Sequence, residues 1–189
     1  LLAPLRGLWR TIPPYVPGGR LLDIGCGSGA YLARLRALGW TVSGVEPSAA
    51  ACASARSALG LDVHCGTAEN APWPAGSFDV ITLWHSLEHT AAPQLTLAAA
   101  LRLLRPGGLL MLETPNWGSL QRRIFGRRWY HLDAPRHRVL FTAQTLARCL
   151  SAGGFVDIRV WSAPSAVGVS GSVEKALGVR PAAAGARPW

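Results

Sequence analysis

Short apolar runs alternate with amphipathic stretches along most of the chain, which indicates strands alternating with helices. In the stretch after residue 30, Tyr31, Leu32 and Leu35 share one helical face, while Arg34 and Arg36 point away from it. The apolar runs have the length of buried strands and fall at residues 21–24, 41–45, 61–65, 78–83 and 109–113. The alternation favours right-handed crossovers between parallel strands. We therefore expect an α/β fold, a Rossmann-like three-layer sandwich with a mostly parallel sheet and helices on both faces.

Turn and cap residues predict where these elements begin and end. Ser48 is a predicted N-cap for a helix of small residues that Gly60 ends, and Thr142 caps a later helix. A sixth strand is predicted over residues 155–160, after the glycine pair at 153–154. The regular pattern therefore extends from about residue 20 to residue 160.

This pattern divides the chain into three parts. Residues 1–19 form an entry segment, and residues 20–160 form the domain itself. The alternation of predicted strands and helices stops at residues 116–138. Arginines and aromatic residues are interleaved there, and we expect a lid-like insert. Residues 161–189 are rich in Ala, Gly, Ser, Val and Pro, and we expect a poorly ordered or shortened tail there.

Composition narrows the class of protein. The chain has 189 residues, 49% of them hydrophobic and 15% charged, which excludes a disordered chain and a coiled coil. Its net charge of +9 permits anionic partners such as nucleic acid, acidic lipid or an anionic substrate, without choosing among them. No apolar run reaches the ~18 residues that span a bilayer. The four cysteines form no CxxC pair, so we expect reduced thiols and a cytoplasmic protein.

A glycine-rich loop follows the first predicted strand and precedes the first helix. Gly25, Gly27 and Ala30 satisfy the dinucleotide pattern G-x-G-x-x-G/A, while Gly25, Gly27 and Gly29 satisfy the tighter G-x-G-x-G. Asp23 separates the two readings, because a carboxylate at the strand tip repels a diphosphate and suits a cationic ligand. S-adenosylmethionine carries an ammonium and a sulfonium and no phosphate. The loop therefore favours S-adenosylmethionine as the cofactor.

Several further strings occur in a fixed order along the chain. They are LLDIGCGSG from residue 21, VEPS at 45–48, SFDVI at 77–81, HSLEH at 85–89, RLLRPGGLLMLETPN at 102–116 and AGGF at 152–155. Together they resemble the class I S-adenosylmethionine-dependent methyltransferases of the small-molecule type found in quinone and natural-product pathways. The resemblance covers roughly residues 20–160 and implies a final antiparallel strand. Only Val167–Val169 and Val173 offer a candidate for that strand.

The resemblance also implies which residues hold the cofactor. Glu46 holds the ribose hydroxyls, as the acid at the end of the second strand. The family usually has Asp where this chain has Thr67, so the adenine contact departs from its pattern. In chain order, the implied residues contact first the methionine portion, then the ribose, then the adenine, and last the methionine end again. They are Asp23, Gly25, Gly27 and Gly29, then Glu46, then Thr67 and Ala68, and last Trp84 and His85.

The implied activity is methyl transfer from S-adenosylmethionine to an oxygen, nitrogen or carbon of a small molecule, either lipophilic or anionic. A hydroxyl acceptor must lose a proton, which calls for a general base. We expect His131 to be that base and His89 to be the next candidate. Two other functions stay open, an NAD(P)-dependent oxidoreductase on the same fold class and a non-catalytic scaffold domain that binds cofactor or nothing.

The string His85-Ser86-Leu87-Glu88-His89 matches H-x-x-E-H, which also occurs in zinc proteases. That protease string lies on a helix, whereas here it follows a strand. Some relatives of this fold bind a divalent ion through a Glu-His pair in this loop and a later His, and Glu88, His89 and His137 offer that set. We expect Glu88 and His89 instead to cap and orient the loop, with no metal bound.

The insert at 116–138 carries six arginines against Asp133. It suits a lid over the acceptor, a peripheral contact with an anionic membrane, or a solvated basic face. Arginine with aromatic residues also suits RNA, but the chain has no recognisable RNA-binding module, so we expect no nucleic-acid partner. The sequence does not predict the oligomeric state.

Overall fold

The structure is a computed structural model that describes residues 12–14, 16–162 and 166–176. The chain divides into two compact units. The first comprises Leu1–Trp84 and Arg102–Glu113, and the second comprises His85–Leu101 and Thr114–Trp189. Most of the predicted entry segment at 1–19 lies outside the described residues.

The first unit contains a parallel five-stranded sheet in the order β3-β2-β1-β4-β5. Because consecutive strands are parallel, each must be joined by a crossover, as the alternating pattern predicted. The fold is therefore α/β and Rossmann-like, as expected. The strands are β1 (Arg20–Ile24), β2 (Thr41–Glu46), β3 (Asp62–Cys65), β4 (Phe78–Trp84) and β5 (Leu104–Glu113).

Two helices complete the first half of this unit, α1 (Ala30–Ala37) and α2 (Ala49–Leu59). The Ser48 side chain accepts a hydrogen bond from the Ala51 amide at 3.4 Å, and Gly60 ends α2 with a φ of 58°. Both predicted ends of α2 are thus confirmed. The buried core that fixes the loop between β1 and α1 includes Leu21, Cys26, Tyr31, Leu32, Leu35, Cys52, Ala55, Leu61 and Trp84.

Strand β5 begins earlier in the chain than the sequence pattern predicts. Helix α3 spans Pro93–Leu103, and β5 begins directly after it, at Leu104 rather than at residue 109. The pairing of β4 with β5 shifts register between Phe78 and Val80. Residues 106–108, a Pro-Gly-Gly sequence, therefore lie inside an irregular strand.

The second unit is helical among its described residues. Its helices after α3 are α4 (Leu120–Phe125), α5 (Ala143–Ala152) and α6 (Ala166–Ala176). A 3₁₀ turn at Leu87–His89 follows β4 in sequence, and another at Gly126–Arg128 follows α4. Thr142 caps α5 by accepting the Thr145 amide at 3.1 Å, as predicted.

The predicted sixth strand at 155–160 is wrong, since no strand is assigned there. Asp157 has a φ of 52°, a left-handed conformation that interrupts an extended chain. Helix α6 also lies where low order was expected, and it includes the Val167–Val169 candidate for a last strand. The composition of that segment gave no helical period, which is why the helix was missed.

None of the described helices is both long enough and apolar enough to cross a lipid bilayer.

Candidate functional site

The carboxylate of Asp23 is held inside the sheet of the first unit. Asp23 is 1% exposed and pairs in register with Thr82 of β4. The Thr82 hydroxyl donates a hydrogen bond to Asp23 Oδ1 at 2.7 Å. Sequence reasoning missed Thr82, although a hydroxyl residue between apolar neighbours in β4 was a usable signal. The hydrogen bond fixes a buried carboxyl group one residue before the end of β1.

Gly27 and Gly29, in the loop after β1, differ in what surrounds them. A Cβ atom on Gly27 would meet nothing within 4 Å, and the residue has a φ of 56°. Its backbone is therefore open to a ligand, in a conformation that other residues rarely adopt. A Cβ atom on Gly29 would meet Leu61 Cδ1, and the residue has a φ of 80°, so packing and backbone conformation both favour glycine there. The cofactor role predicted for Gly29 stays a prediction.

Glu46 joins the glycine loop to the start of α2. Its Oε2 accepts the Gly27 amide at 2.9 Å, and its Oε1 accepts the Ser48 amide at 2.8 Å. The side chain is 9% exposed. An ionised carboxylate offers about four acceptor sites, so these two bonds orient Glu46 and leave capacity for hydroxyl donors. Two residues that the sequence linked only by motif are thus in direct contact.

The pKa of the buried Cys26 thiol is shifted by the charged groups around this loop. Burial, and after it the charges of Asp23 and Glu46, raise the pKa of Cys26. The carboxylates of Asp23 and Glu46 thus act on the same loop, and negative charge there favours a cationic ligand over a diphosphate.

Thr67 and Ala68 lie beside the end of β2, at a 3₁₀ turn spanning Ala68–Asn70. The Gly66 amide donates to the Glu46 carbonyl oxygen at 3.0 Å, which ties this turn to the glutamate. Asn70 Oδ1 accepts the Thr67 amide at 2.9 Å. Asn70 was not predicted, but the Thr-x-x-Asn spacing at a turn could have indicated it.

Trp84, the last residue of β4, packs into the core. It is 7% exposed and meets Tyr31 edge to face, with ring centroids 5.8 Å apart. Its indole Nε1 is buried and has no hydrogen-bond partner among the described residues. Trp129 has a buried indole nitrogen in the same state, so the cofactor contact predicted for Trp84 stays a prediction.

His85, predicted to touch the cofactor, begins the second unit and interacts there with Glu88. It has a φ of 52°, which is uncommon for a residue with a side chain. Its Nδ1 lies 3.3 Å from Glu88 Oε1, and Glu88 is 0% exposed. Burial acts to raise the pKa of Glu88, but the hydrogen bond and charge of His85 outweigh it and leave that pKa below its usual value. Glu88 is therefore an ionised, buried group.

The main chain of Glu88 also anchors a distant part of the unit. Its carbonyl oxygen accepts the Arg138 amide at 2.8 Å and the Val139 amide at 3.2 Å. These bonds hold the end of the 116–138 insert against the 3₁₀ turn at Leu87–His89. The two histidine-bearing segments meet for that reason.

His131 lies within this insert, among aromatic rings. It stacks parallel to His85 at a centroid distance of 6.2 Å, and the Trp129 and Tyr130 rings lie 5.5 and 5.1 Å from it. Burial, followed by the charges of His85 and His137, lowers the pKa of His131 to about 4. The imidazole is therefore neutral at pH 7.

His89 and His137 form a pair beside Glu88, with ring centroids 4.7 Å apart. His89 Nδ1 lies 3.0 Å from the Arg136 carbonyl oxygen, and His137 Nδ1 lies 2.7 Å from that of His131. A carbonyl oxygen can only accept, so each Nδ1 carries a proton and each Nε2 carries the lone pair of the neutral ring. His89 is thus placed as a ligand or a base through Nε2.

A family described as a methyltransferase domain matches residues 5–160 of the chain. The chain belongs to this family. The match includes the glycine loop, the end of β2 and the histidine segments, so it confirms the family that the motifs predicted. It favours methyl transfer over the alternative of an oxidoreductase.

Curated relatives of this methyltransferase domain are named ubiquinone biosynthesis O-methyltransferase. The one from Aromatoleum aromaticum is 39% identical over 119 residues, which is 60% of this chain and 51% of that protein. The one from Pseudomonas aeruginosa is 36% identical over 119 residues, again 60% and 51%. The chain spans about half the length of the curated relatives it matches.

Two solved structures described as S-adenosylmethionine-dependent methyltransferases share the fold. The Archaeoglobus fulgidus protein has a TM-score of 0.68 and 25% identity, covering 83% of this chain and 68% of that one. The Thermotoga maritima protein has a TM-score of 0.63 and 28% identity, covering 75% and 66%. They confirm the Rossmann-like fold and S-adenosylmethionine as the cofactor of the family.

Two features of the first unit fit this cofactor. The open side of Gly27 leaves room for a ligand beside the backbone, and Glu46 retains acceptor capacity for ribose hydroxyls. The individual contacts stay predictions at every position: Asp23, Gly25, Gly27, Gly29, Glu46, Thr67, Ala68, Trp84 and His85.

Proposed function

We propose that this domain transfers a methyl group from S-adenosylmethionine to a hydroxyl oxygen of a small lipophilic acceptor. The observation that carries the proposal is the carboxylate of Glu46, which bridges the Gly27 and Ser48 amides beside an open glycine backbone. Asp23 adds a second carboxylate, which is 1% exposed and lies near the end of β1. This environment suits a sulfonium and an ammonium.

The proposal assigns oxygen as the acceptor atom because the curated relatives are named for O-methylation in ubiquinone biosynthesis. A quinone-related hydroxyl compound is a lipophilic acceptor, which is one of the two classes, lipophilic or anionic, that the resemblance implied. When bound, S-adenosylmethionine supplies a methyl carbon that bonds to the acceptor oxygen as the carbon–sulfur bond breaks and its electron pair stays on sulfur. The chain itself contributes alignment and the exclusion of water.

His131 is the base we propose for the acceptor proton. Support comes from its place in the insert and from its contacts with the rings of Trp129, Tyr130 and His85. Its imidazole is neutral and can take the proton that leaves the hydroxyl oxygen, although a pKa of about 4 makes it a weak base at pH 7. His89 is the second candidate, through its Nε2 lone pair.

The sequence led us to expect no metal, but the geometry supports a second candidate feature, and we propose a divalent cation at Glu88, His89 and His137. Glu88, His89 and His137 each bring one ligand atom to within 4.8 Å of the others. Glu88 Oε2 is buried and has no hydrogen-bond partner among the described residues. Carbonyl hydrogen bonds at Nδ1 orient both histidines in the way that metal-ligating histidines are oriented.

Two imidazoles and one carboxylate suit Zn²⁺ and similar transition metals. Such an ion would supply Lewis acidity toward an acceptor hydroxyl, and His89 would then be a ligand rather than a base. Calorimetry with Zn²⁺ separates the two roles. We expect stoichiometric binding that is lost in His137→Ala. Equal, weak heats for both proteins would leave His89 as the alternative base.

Peripheral contact with an anionic membrane is part of the proposed function. The net charge of +9 and a lipophilic acceptor both support it.

The proposed activity is tested in two steps. Calorimetry should detect S-adenosylhomocysteine binding and no NAD(P) binding. Incubation with S-adenosylmethionine and a panel of phenols, amines and carbon acids should then add one methyl group to a phenol, detected by mass spectrometry. Binding without transfer to any acceptor would favour the scaffold alternative, and NAD(P) binding would favour the oxidoreductase.

A further inference from the structure

Two thiols lie beside the main chain of Glu46, at the end of β2. Cys52, in the first turn of α2, donates its thiol hydrogen to the Glu46 carbonyl oxygen at 3.1 Å. Cys65, the last residue of β3, is the register partner of Glu46 in the parallel pairing of β2 with β3. The crossover helix and the neighbouring strand therefore each bring one cysteine to the same residue.

The two thiols are also in contact with each other. The Cys65 side chain lies within hydrogen-bonding reach of the Cys52 thiol. Both cysteines are free thiols in the structure. Two thiols in contact can be joined by rotation of their side chains, without the backbone movement that distant cysteines would require.

The pair combines one exposed and one buried sulfur atom. Cys65 is exposed, whereas Cys52 is 1% exposed. Burial, followed by the contact with Cys65, raises the pKa of Cys52 to about 11. Cys52 is therefore protonated at pH 7, and an oxidant in solution reacts first with the Cys65 sulfur.

We propose that Cys65 and Cys52 form an oxidative modification site, where hydrogen peroxide converts the two thiols into a disulfide and weakens binding of the methyl donor. The Cys65 sulfur attacks the peroxide, whose oxygen–oxygen bond breaks. A sulfenic acid forms, and the Cys65 proton leaves with the other oxygen as water.

The second step closes the disulfide. The Cys52 sulfur attacks the sulfenic sulfur, so a sulfur–sulfur bond forms as the sulfur–oxygen bond breaks. The departing hydroxide takes the Cys52 proton and leaves as a second water. Two thiols are thereby oxidised and one peroxide is reduced, and a dithiol reductant reverses the change.

The Glu46 carbonyl oxygen links this pair to the predicted donor contacts. It accepts the Cys52 thiol and also the Gly66 amide, the latter at 3.0 Å. A disulfide has no thiol hydrogen, so the first of these bonds is lost, and Cys65 is drawn toward α2. Gly66 directly precedes Thr67, where we expect the adenine, and Glu46 is expected to hold the ribose. This effect, unlike the disulfide itself, rests on the proposed function.

The other two cysteines fit this chemistry less well. Cys26 is 6% exposed, so a disulfide between Cys26 and Cys52 would join two sulfur atoms that are both closed to a dissolved oxidant. Cys149 is half-buried and belongs to α5, in the second unit. Cys149 therefore provides a control for general oxidation of the protein.

Mass spectrometry tests the disulfide without donor or acceptor. Trypsin cleaves after Arg56, which separates Cys52 on the 37–56 peptide from Cys65 on the 57–102 peptide. The reduced protein is treated with hydrogen peroxide, and the remaining thiols are alkylated before digestion. We expect the two peptides to be joined and the intact protein to lose the mass of two hydrogen atoms. Dithiothreitol should separate the peptides again.

Calorimetry with S-adenosylhomocysteine measures the consequence for the donor site. Peroxide should raise the Kd of the wild type about tenfold, the equivalent of about one hydrogen bond, and dithiothreitol should restore it. Cys65→Ser keeps the thiol of Cys52 and should bind the ligand equally before and after peroxide. Cys149→Ser is the matched control and should respond to peroxide as the wild type does. Both variants should keep the melting temperature of the reduced wild type.

Three results would overturn the proposal. Peroxide could leave the two peptides separate, or it could join Cys52 to Cys26 instead. A disulfide between Cys52 and Cys65 with an unchanged Kd, or an equal rise of the Kd in Cys65→Ser, would show that the pair does not act on the donor site. A reduced wild type that binds no S-adenosylhomocysteine would count against the proposed function, and the peptide analysis would still decide the disulfide.

Discussion

The glycine loop around Gly27 and the histidine cluster around Glu88 hold their functional groups by different means. In the loop, main-chain amides are fixed by one strand end, and Glu46 lies only nineteen residues from Gly27. In the cluster, His89 and His137 come from separate segments that meet through the carbonyl oxygen of Glu88. A loop of this kind is disrupted by added bulk, whereas the cluster is disrupted by removing a single side chain.

The largest expected effect tests the loop. Gly27→Val should abolish binding of S-adenosylhomocysteine in calorimetry, because the side chain would project into the open space beside the backbone. Gly60→Val is the matched control, with a φ of 58° and equally open surroundings at the end of α2. Both variants should lose stability, but only the first should lose binding. Equal affinities in the two would remove Gly27 from the donor site.

The next effect tests the cluster. His131→Ala should slow turnover about 10²- to 10⁴-fold, as expected when a general base is lost. The affinity for S-adenosylhomocysteine should stay unchanged, because the donor contacts lie in the glycine loop. His89→Ala, measured in parallel, ranks the two candidates. Unchanged turnover in His131→Ala, with a loss in His89→Ala, would reverse their order.

A smaller effect is expected from the acid that joins the loop to α2. Glu46→Gln keeps the shape but removes the charge that Gly27 and Ser48 approach. We expect S-adenosylhomocysteine affinity to fall by roughly 1–3 kcal/mol, the usual contribution of a charged hydrogen bond. Asp62→Asn, at an exposed carboxylate of β3, should have no effect. A null result for both would contradict the role of Glu46.

The smallest effect is expected from the hydrogen bond between Thr82 and Asp23, in the strands that precede the glycine loop and the histidine cluster. Thr82→Val removes the donor to the buried Asp23 and should reduce the free energy of unfolding by about 1–3 kcal/mol. Ser43→Ala removes a hydroxyl that donates to the exposed Asp62, so urea denaturation should detect a lesser loss. Losses of the same size would mean that burial of Asp23 adds nothing.

Local patterns predicted most of the first unit. The apolar runs, the Ser48 cap and Gly60 located β1 to β4 and α2 closely, since each depends on neighbours in sequence. The strand expected at 155–160 failed because the φ of Asp157 depends on surroundings that the residue types do not reveal. Helix α6 was missed because its small and polar residues carry no helical period.

The site was predictable to the extent that its residues lie in one motif. Gly27 and Glu46 followed from the spacing of a loop and a strand end. Thr82 and Asn70 act as hydrogen-bond partners of predicted residues, and only the strand register and the turn bring them there. The contact of Glu88 with the 138–139 segment is likewise a tertiary feature that sequence spacing does not encode.

A crystal structure with S-adenosylhomocysteine would test the donor site most directly. We predict the ribose hydroxyls on Glu46 and the amino-acid portion of the ligand against the backbone at Gly27, with the Asp23–Thr82 hydrogen bond retained. A ligand bound away from Glu46, or a dinucleotide whose diphosphate lies on Gly27, would contradict the assignment.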